Sequence, residues 1–92
     1  MSEPIGRRLV AHGRVQGVNF RAWVRERAVA RGVAGWAGNL DDGTVEVWLQ
    51  GDADAVAAVE RAVGEGPPYG HVDRVEAADV AVRDDVAGFG RR

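Results

Sequence analysis

Apolar and polar residues alternate from Arg7 to Gly13, with Leu9 and Ala11 on one side and Arg8, Val10 and His12 on the other, which predicts a first strand. The period then lengthens. Phe20, Trp23, Val24 and Ala28 recur at helical spacing while Arg25, Glu26, Arg27 and Arg31 occupy the wet side, predicting a helix from Phe20 to Arg31 that Gly32 stops. Asn19 stands where it could cap this helix. Val33 to Leu40 and Thr44 to Gln50 flank Asp41, Asp42 and Gly43, an Asp-Gly turn signal that predicts a hairpin with Val45, Val47 and Leu49 facing inward. A second helix follows, capped by Asp52 or Asp54, with Val56, Val59 and Val63 as its buried stripe, and it ends in the breaker-rich GEGPPYG. Val72 to Arg83 reads as a strand whose apolar phase changes around Ala77 and Ala78, which predicts a bulge there. Phe89 belongs to a short closing strand. The order strand, helix, strand, strand, helix, strand is the ferredoxin-like βαββαβ sandwich of the α+β class, an antiparallel sheet with two helices on one face. At 92 residues, without repeat, linker or low-complexity stretch, the chain is expected to be one domain, residues 1–92.

Composition narrows the chemistry by exclusion. All twelve basic residues are arginine, so neither Schiff-base chemistry nor a P-loop lysine is available. There is no cysteine, Ser2 is the one serine and lies at the N-terminus, and Thr44 is the one threonine, which leaves no credible serine or thiol nucleophile. His12 and His71 are far apart in sequence and have no cysteines beside them, so no zinc pattern is present, and neither a metal nor a cofactor is expected. No apolar run approaches a membrane span and MSEPIGRR lacks a signal-peptide core, so the expected location is cytoplasmic, away from membranes. A formal net charge of −2 argues against a general nucleic-acid binder.

What remains is arginine, backbone amide, carboxylate and water, and one stretch gathers the first two. GRVQGVNFR, Gly13 to Arg21, sets two glycines and a turn directly before the first helix. Helix N-termini leave unpaired N–H groups and carry partial positive charge, and Gly13 and Gly17 permit turns in which successive amides point into one concavity. Arg21 brings a planar, permanently charged fork suited to a phosphoryl group into the first helical turn, where a cation opposes the helix dipole unless an anion compensates it. On spacing alone the loop is equally readable as a tight strand-to-helix connection, and Asn39, before the hairpin, as a turn former. Asp41 and Asp42 read as turn chemistry, Arg25, Arg27 and Arg31 as solvated helix residues, and Trp23, Trp36 and Trp48 as packing.

Two motifs together, GRVQGVNFR and GWAGNLDDGTVE, in this order and at this spacing, resemble the signature of the acylphosphatase family, and GPPYGHVDRV and GFGRR extend the resemblance over nearly the whole chain. The resemblance implies hydrolysis of acyl phosphates, the mixed anhydrides of a carboxylic acid and phosphoric acid, to a carboxylate and inorganic phosphate. It implies that Arg21 grips the phosphoryl oxygens with the amides of the loop Val15, Gln16, Gly17, Val18, Asn19 and Phe20, and that Asn39 holds the attacking water. Gly38 departs from the family pattern, standing where many relatives carry a basic residue. A monomer acting on a small-molecule acyl phosphate is expected, without a nucleic-acid partner. Two other classes compete. One is an RNA-binding ferredoxin-like module with Trp48 stacking a base, against which the paired-aromatic signature is missing. The other is an acylphosphatase-like domain at the front of a larger carbamoyl-transferring enzyme; with the sequence closing on GFGRR, a free-standing enzyme is expected instead.

Overall fold

The structure, a computed structural model, describes residues 3–92, so Ser2 lies outside the described residues. Along the chain run β1 (Ile5–Arg14), α1 (Phe20–Ala30), β2 (Ala34–Asn39), β3 (Val45–Gly51), α2 (Ala53–Glu65), β4 (His71–Val80) and β5 (Phe89–Arg91). The strands form one sheet in the order β4-β1-β3-β2-β5. The predicted ferredoxin-like α+β sandwich is present, with one refinement: β1, β3, β2 and β4 pair antiparallel, but β5 joins β2 in parallel, so the sheet is mixed rather than antiparallel throughout.

Strand alternation decides which face is buried. Leu9 and Ala11 of β1 and Val45, Val47 and Leu49 of β3 are fully buried, and they meet Phe20, Val24 and Ala28 of α1 and Val56, Val59 and Val63 of α2. Burying a side chain of this size stabilises by about 1.5–3 kcal/mol before conformational entropy is set against it, so this single layer is the main cohesive element. Arg7 fastens its rim. Its Nε and Nη2 donate to the two Glu60 carboxylate oxygens of α2 at 2.9 and 3.0 Å, and its Nη1 donates to Asp79 of β4 at 2.9 Å. β2 lies close to β3 because Gly35 has no side chain: a Cβ there would fall 1.7 Å from the Trp48 carbonyl oxygen, and its φ of 147° suits no L side chain.

The opposite face of the sheet is covered in part by aromatic and arginine side chains. Trp36 and Trp48 stack with ring centroids 4.9 Å apart, and Arg92 lies over Trp36 at 3.8 Å. Gln50 holds the segment that carries the chain from the β4 edge to the β5 edge: its Oε1 accepts from the Arg83 N–H at 3.1 Å and its Nε2 donates to the Arg83 carbonyl at 2.9 Å. The packing role expected for these tryptophans is therefore met, Trp36 being only 5% exposed.

Three local expectations are corrected. β4 ends at Val80 rather than Arg83, and its irregularity is not at Ala77 and Ala78. The register slips where His12 pairs Arg74 but Gly13 pairs Val72, leaving Asp73 as the extra residue. This bulge lets Val72 and Val75, three apart, both pack against the core. Asn19 does stand at the N-cap of α1, yet its side chain makes no capping bond. Arg25 is exposed, as expected, and its Nε also donates to the Phe89 carbonyl at 3.1 Å, which tethers β5 to α1. The caps of α2 behave as expected, with Asp52 accepting from the Asp54 N–H at 3.2 Å. Among the described residues no helix is long and apolar enough to cross a membrane.

Candidate active site

The two helices begin differently, and the difference defines the site. At α2, a capping carboxylate and Asp54 in the first turn compensate the positive helix end. At α1, no acidic residue lies in the first turn, and Arg21 is there instead. The first backbone bond of this helix runs from the Trp23 N–H to the Asn19 carbonyl at 3.1 Å, so the amides of Phe20, Arg21 and Ala22 precede the helical ladder. Asn19 is the one non-glycine residue at positive φ among the described residues, with φ 63° and ψ 27°. Asparagine tolerates this left-handed conformation better than most residues, but holding it still stores strain at this turn. Gly17, at φ 75°, makes the preceding bend.

A cavity of about 180 Å³ with polar walls opens at this point, lined by Val15, Gly17, Asn19, Phe20, Arg21 and Ala22 of the loop and helix, with Asn39 from β2 and Arg91 from β5. Val15 and Phe20 are buried at 1% and 2% exposure, so the loop is anchored in the core on both sides of its polar turn. The structure thus brings together Arg21 and Asn39, eighteen positions apart in the chain, with four of the six expected loop residues. Gln16 and Val18 do not line the cavity. Val18 packs toward the core, and the Gln16 side chain donates from Nε2 to the Leu40 and Thr44 carbonyls at 2.8 and 2.9 Å.

One main-chain oxygen joins the Arg21 side chain to the backbone of Asn39. A main-chain oxygen of Arg92 accepts from Arg21 Nη1 at 2.7 Å and from the Asn39 N–H at 3.2 Å, and the Arg92 N–H donates in turn to the Ala37 carbonyl at 2.8 Å. Arg21 therefore spends one donor on its own chain and keeps the rest of its five-donor fork. A Cβ at Gly38 would lie 3.0 Å from the Arg92 Cβ, so a side chain there would require a small shift of the closing segment. Sequence reasoning missed Arg91 and Arg92; a three-residue strand carries no periodicity, and GFGRR showed only that a strand closes the fold there.

The flanking carboxylates serve structure. Asp42 accepts from the Thr44 hydroxyl and N–H, bonds that hold its carboxyl below the usual carboxylate range and mark it as the turn residue expected. Burial alone would push the Glu46 carboxyl up, but hydrogen bonds from the Trp36 indole at 2.9 Å and Arg8 at 2.6 Å outweigh it and hold the group below its ordinary value. His12 pairs with Glu76 and His71 with Asp73 at 3.0 Å, away from the cavity lining. Among the described residues no group of three or more His, Cys, Asp or Glu could hold a metal ion. A larger groove of about 460 Å³ lies between α2 and the β4 side of the sheet, and it contains none of the motif residues. Chemically, the smaller cavity joins a guanidinium fork, a helix N-terminus and a side-chain amide with no carboxylate among its lining residues, a combination that favours a bound oxyanion.

Comparison with known proteins gives the family. The acylphosphatase family model matches residues 7–90. A protein named acylphosphatase from Azorhizobium caulinodans is 50% identical over 70 residues, which cover 76% of this chain and 75% of that one. Another, from an Acidovorax species, is 47% identical over 96% of this chain and 90% of its own length. The crystal structure of acylphosphatase from Bacillus subtilis superposes with a TM-score of 0.90 at 33% identity, covering 96% of this chain and 98% of that one.

Proposed function

Since the chain belongs to the acylphosphatase family, an enzyme family of acyl phosphate hydrolysis, we propose that it catalyses this reaction within the α1 cavity, through an arginine and backbone-amide cradle and without a metal ion. The observation that carries the proposal is the convergence of the Arg21 fork, the uncapped amides of α1 and the Asn39 amide on one polar space of about 180 Å³. In this reading Arg21 and the amides between Val15 and Phe20 hold the phosphoryl oxygens, and the Asn39 side chain orients a water in line with the leaving group. The water oxygen bonds to phosphorus while the bond from phosphorus to the acyl oxygen breaks, its electron pair leaving on the carboxylate. The proton shed by the water passes to phosphate or solvent.

So small a site is chemically sufficient. Phosphoryl transfer runs through a loose transition state that needs positioning and charge stabilisation more than covalent help. The departing carboxylate has a conjugate-acid pKa of about 4 to 5, so it leaves without a general acid at neutral pH, in keeping with a lining that offers none. Arg91, lining the same cavity, adds a second cation that draws the anionic substrate in. The test is steady-state hydrolysis of an aryl acyl phosphate in the presence of a chelator, with a phosphate monoester as control. Turnover of the mixed anhydride and none of the monoester is expected. Loss of activity in chelator, restored by one added metal, would overturn the metal-free cradle.

A further inference from the structure

We infer that Gln16 is a positioning residue for the hydrolysis proposed above, acting through Asn39 rather than on the phosphoryl group; the inference rests on that reading of the site. Although Gln16 lies in the middle of the glycine loop, its side chain turns away from the cavity and bonds the hairpin: Nε2 donates to Leu40 O at 2.8 Å and to Thr44 O at 2.9 Å. These carbonyls stand at the two ends of the turn between β2 and β3. The same two oxygens close the turn from within, Thr44 O accepting from the Leu40 N–H at 2.9 Å and Leu40 O from the Gly43 N–H at 3.1 Å. The side-chain amide thus spans the neck of the turn and ties it to the loop that carries the proposed phosphate cradle.

Asn39 is the residue this arrangement holds. It is the last residue of β2, pairs Val45 across the hairpin, and is followed at once by Leu40. Its N–H is fixed by the Arg92 main-chain oxygen, and the carbonyl of the next residue, Leu40, is fixed by Gln16. Backbone geometry selects the side-chain rotamer, so clamping both sides of Asn39 fixes where its amide points. Hydrogen bonding supplied from outside the hairpin also couples two segments that local pairing would leave free to shift: the loop before α1, which carries the proposed phosphate grip, and the strand end that aims the water.

A double-mutant cycle tests the inference on the full chain with an aryl acyl phosphate. Gln16→Met removes both donors while keeping length and bulk. It should lower kcat by about ten- to a hundredfold, the scale of an ångström of misplacement, with inorganic phosphate affinity kept within about threefold. In the Asn39→Ala background the same change should alter kcat less than about twofold, because the group it positions is gone. An equal loss in both backgrounds, or phosphate affinity falling in step with kcat, would overturn the positioning role.

Gln16→Glu gives a second measurement should the methionine variant fold poorly. Its neutral acid can donate one hydrogen bond to the turn, whereas the ionised form sets a negative charge against two carbonyl oxygens, which raises the acid's pKa above about 4.3. Its kcat should rise as pH falls through that raised pKa, a limb absent from wild type; Asp42, the carboxylate held by Thr44, and His12, which acts on Asp42 through its charge, are common to both proteins. A profile parallel to wild type would count against the inference. Absence of acyl phosphate hydrolysis in the wild type would overturn the proposed function itself, and an additive cycle in an active enzyme would remove only the role of Gln16.

Discussion

Inorganic phosphate, the product of the proposed reaction, should stabilise the fold in proportion to its occupancy of the α1 cavity. The walls come from the loop at Val15 to Ala22, the end of β2 and the terminal strand β5, segments that converge only when the sheet is formed. The unfolded chain therefore has no comparable site, and binding acts on the native state alone. At a free concentration a hundred times the dissociation constant, mass action adds about 2.7 kcal/mol. With an unfolding entropy of about 2.1 cal/mol/K per residue, a 92-residue chain has roughly 190 cal/mol/K, so Tm should rise by about 14 °C. Thermal unfolding followed by circular dichroism resolves such a shift. Ionic strength must be matched with chloride, because phosphate also stabilises proteins by exclusion from their surface. In Arg21→Ala the shift should shrink to that general effect. Equal shifts in wild type and variant would show that phosphate is not held at Arg21.

Three further outcomes follow from the geometry. Asn39→Ala should lower kcat at least about a hundredfold while phosphate affinity stays within several-fold, separating water orientation from phosphate retention; unchanged turnover would return Asn39 to a plain turn residue. Gly35→Ala should cost about 3 kcal/mol or more and lower the urea midpoint by about 2 M, since the added Cβ meets backbone that cannot yield; a midpoint within about 0.5 M of wild type would contradict the close strand approach. Because the native Glu46 pKa is depressed, its stabilisation is present above the ordinary glutamate pKa of about 4.3 and lost as pH falls through the native value. Urea unfolding of Glu46→Gln should therefore show a shallower acid limb than wild type, and parallel limbs would show that Trp36 and Arg8 do not hold the charge.

The elements that carry period and punctuation were legible without coordinates. Phe20, Val24 and Ala28 marked the buried side of α1, and Val56, Val59 and Val63 that of α2; Asp42 and Gly43 marked the hairpin. The strand-helix junction around Gly17 was legible for the same reason: turn chemistry is local. What local chemistry does not encode was misread or missed. The side-chain bonding of Asn19 depends on a left-handed backbone angle set by the whole loop, and the bulge at Asp73 depends on how β4 meets β1. The parallel pairing of β5 and the Arg92 oxygen between Arg21 and Asn39 are long-range, Arg21 and Arg92 being 71 positions apart. Gln16 shows the limit most clearly. Its place in the motif suggested a backbone-amide contact with phosphate and said nothing of its side chain, which is committed to two carbonyls 24 and 28 positions away.

The most direct test of the central claim is the rate of aryl acyl phosphate hydrolysis by Arg21→Lys measured beside wild type. Lysine keeps the positive charge at the first turn of α1 but replaces a planar fork, one arm of which is held on the Arg92 main-chain oxygen at 2.7 Å, with a point-like ammonium. The account predicts that kcat/KM falls by at least about a hundredfold in a variant whose circular dichroism and unfolding midpoint stay close to wild type. Retention of most of the wild-type kcat/KM would show that charge alone suffices and that the bidentate phosphate grip assigned to Arg21 is wrong.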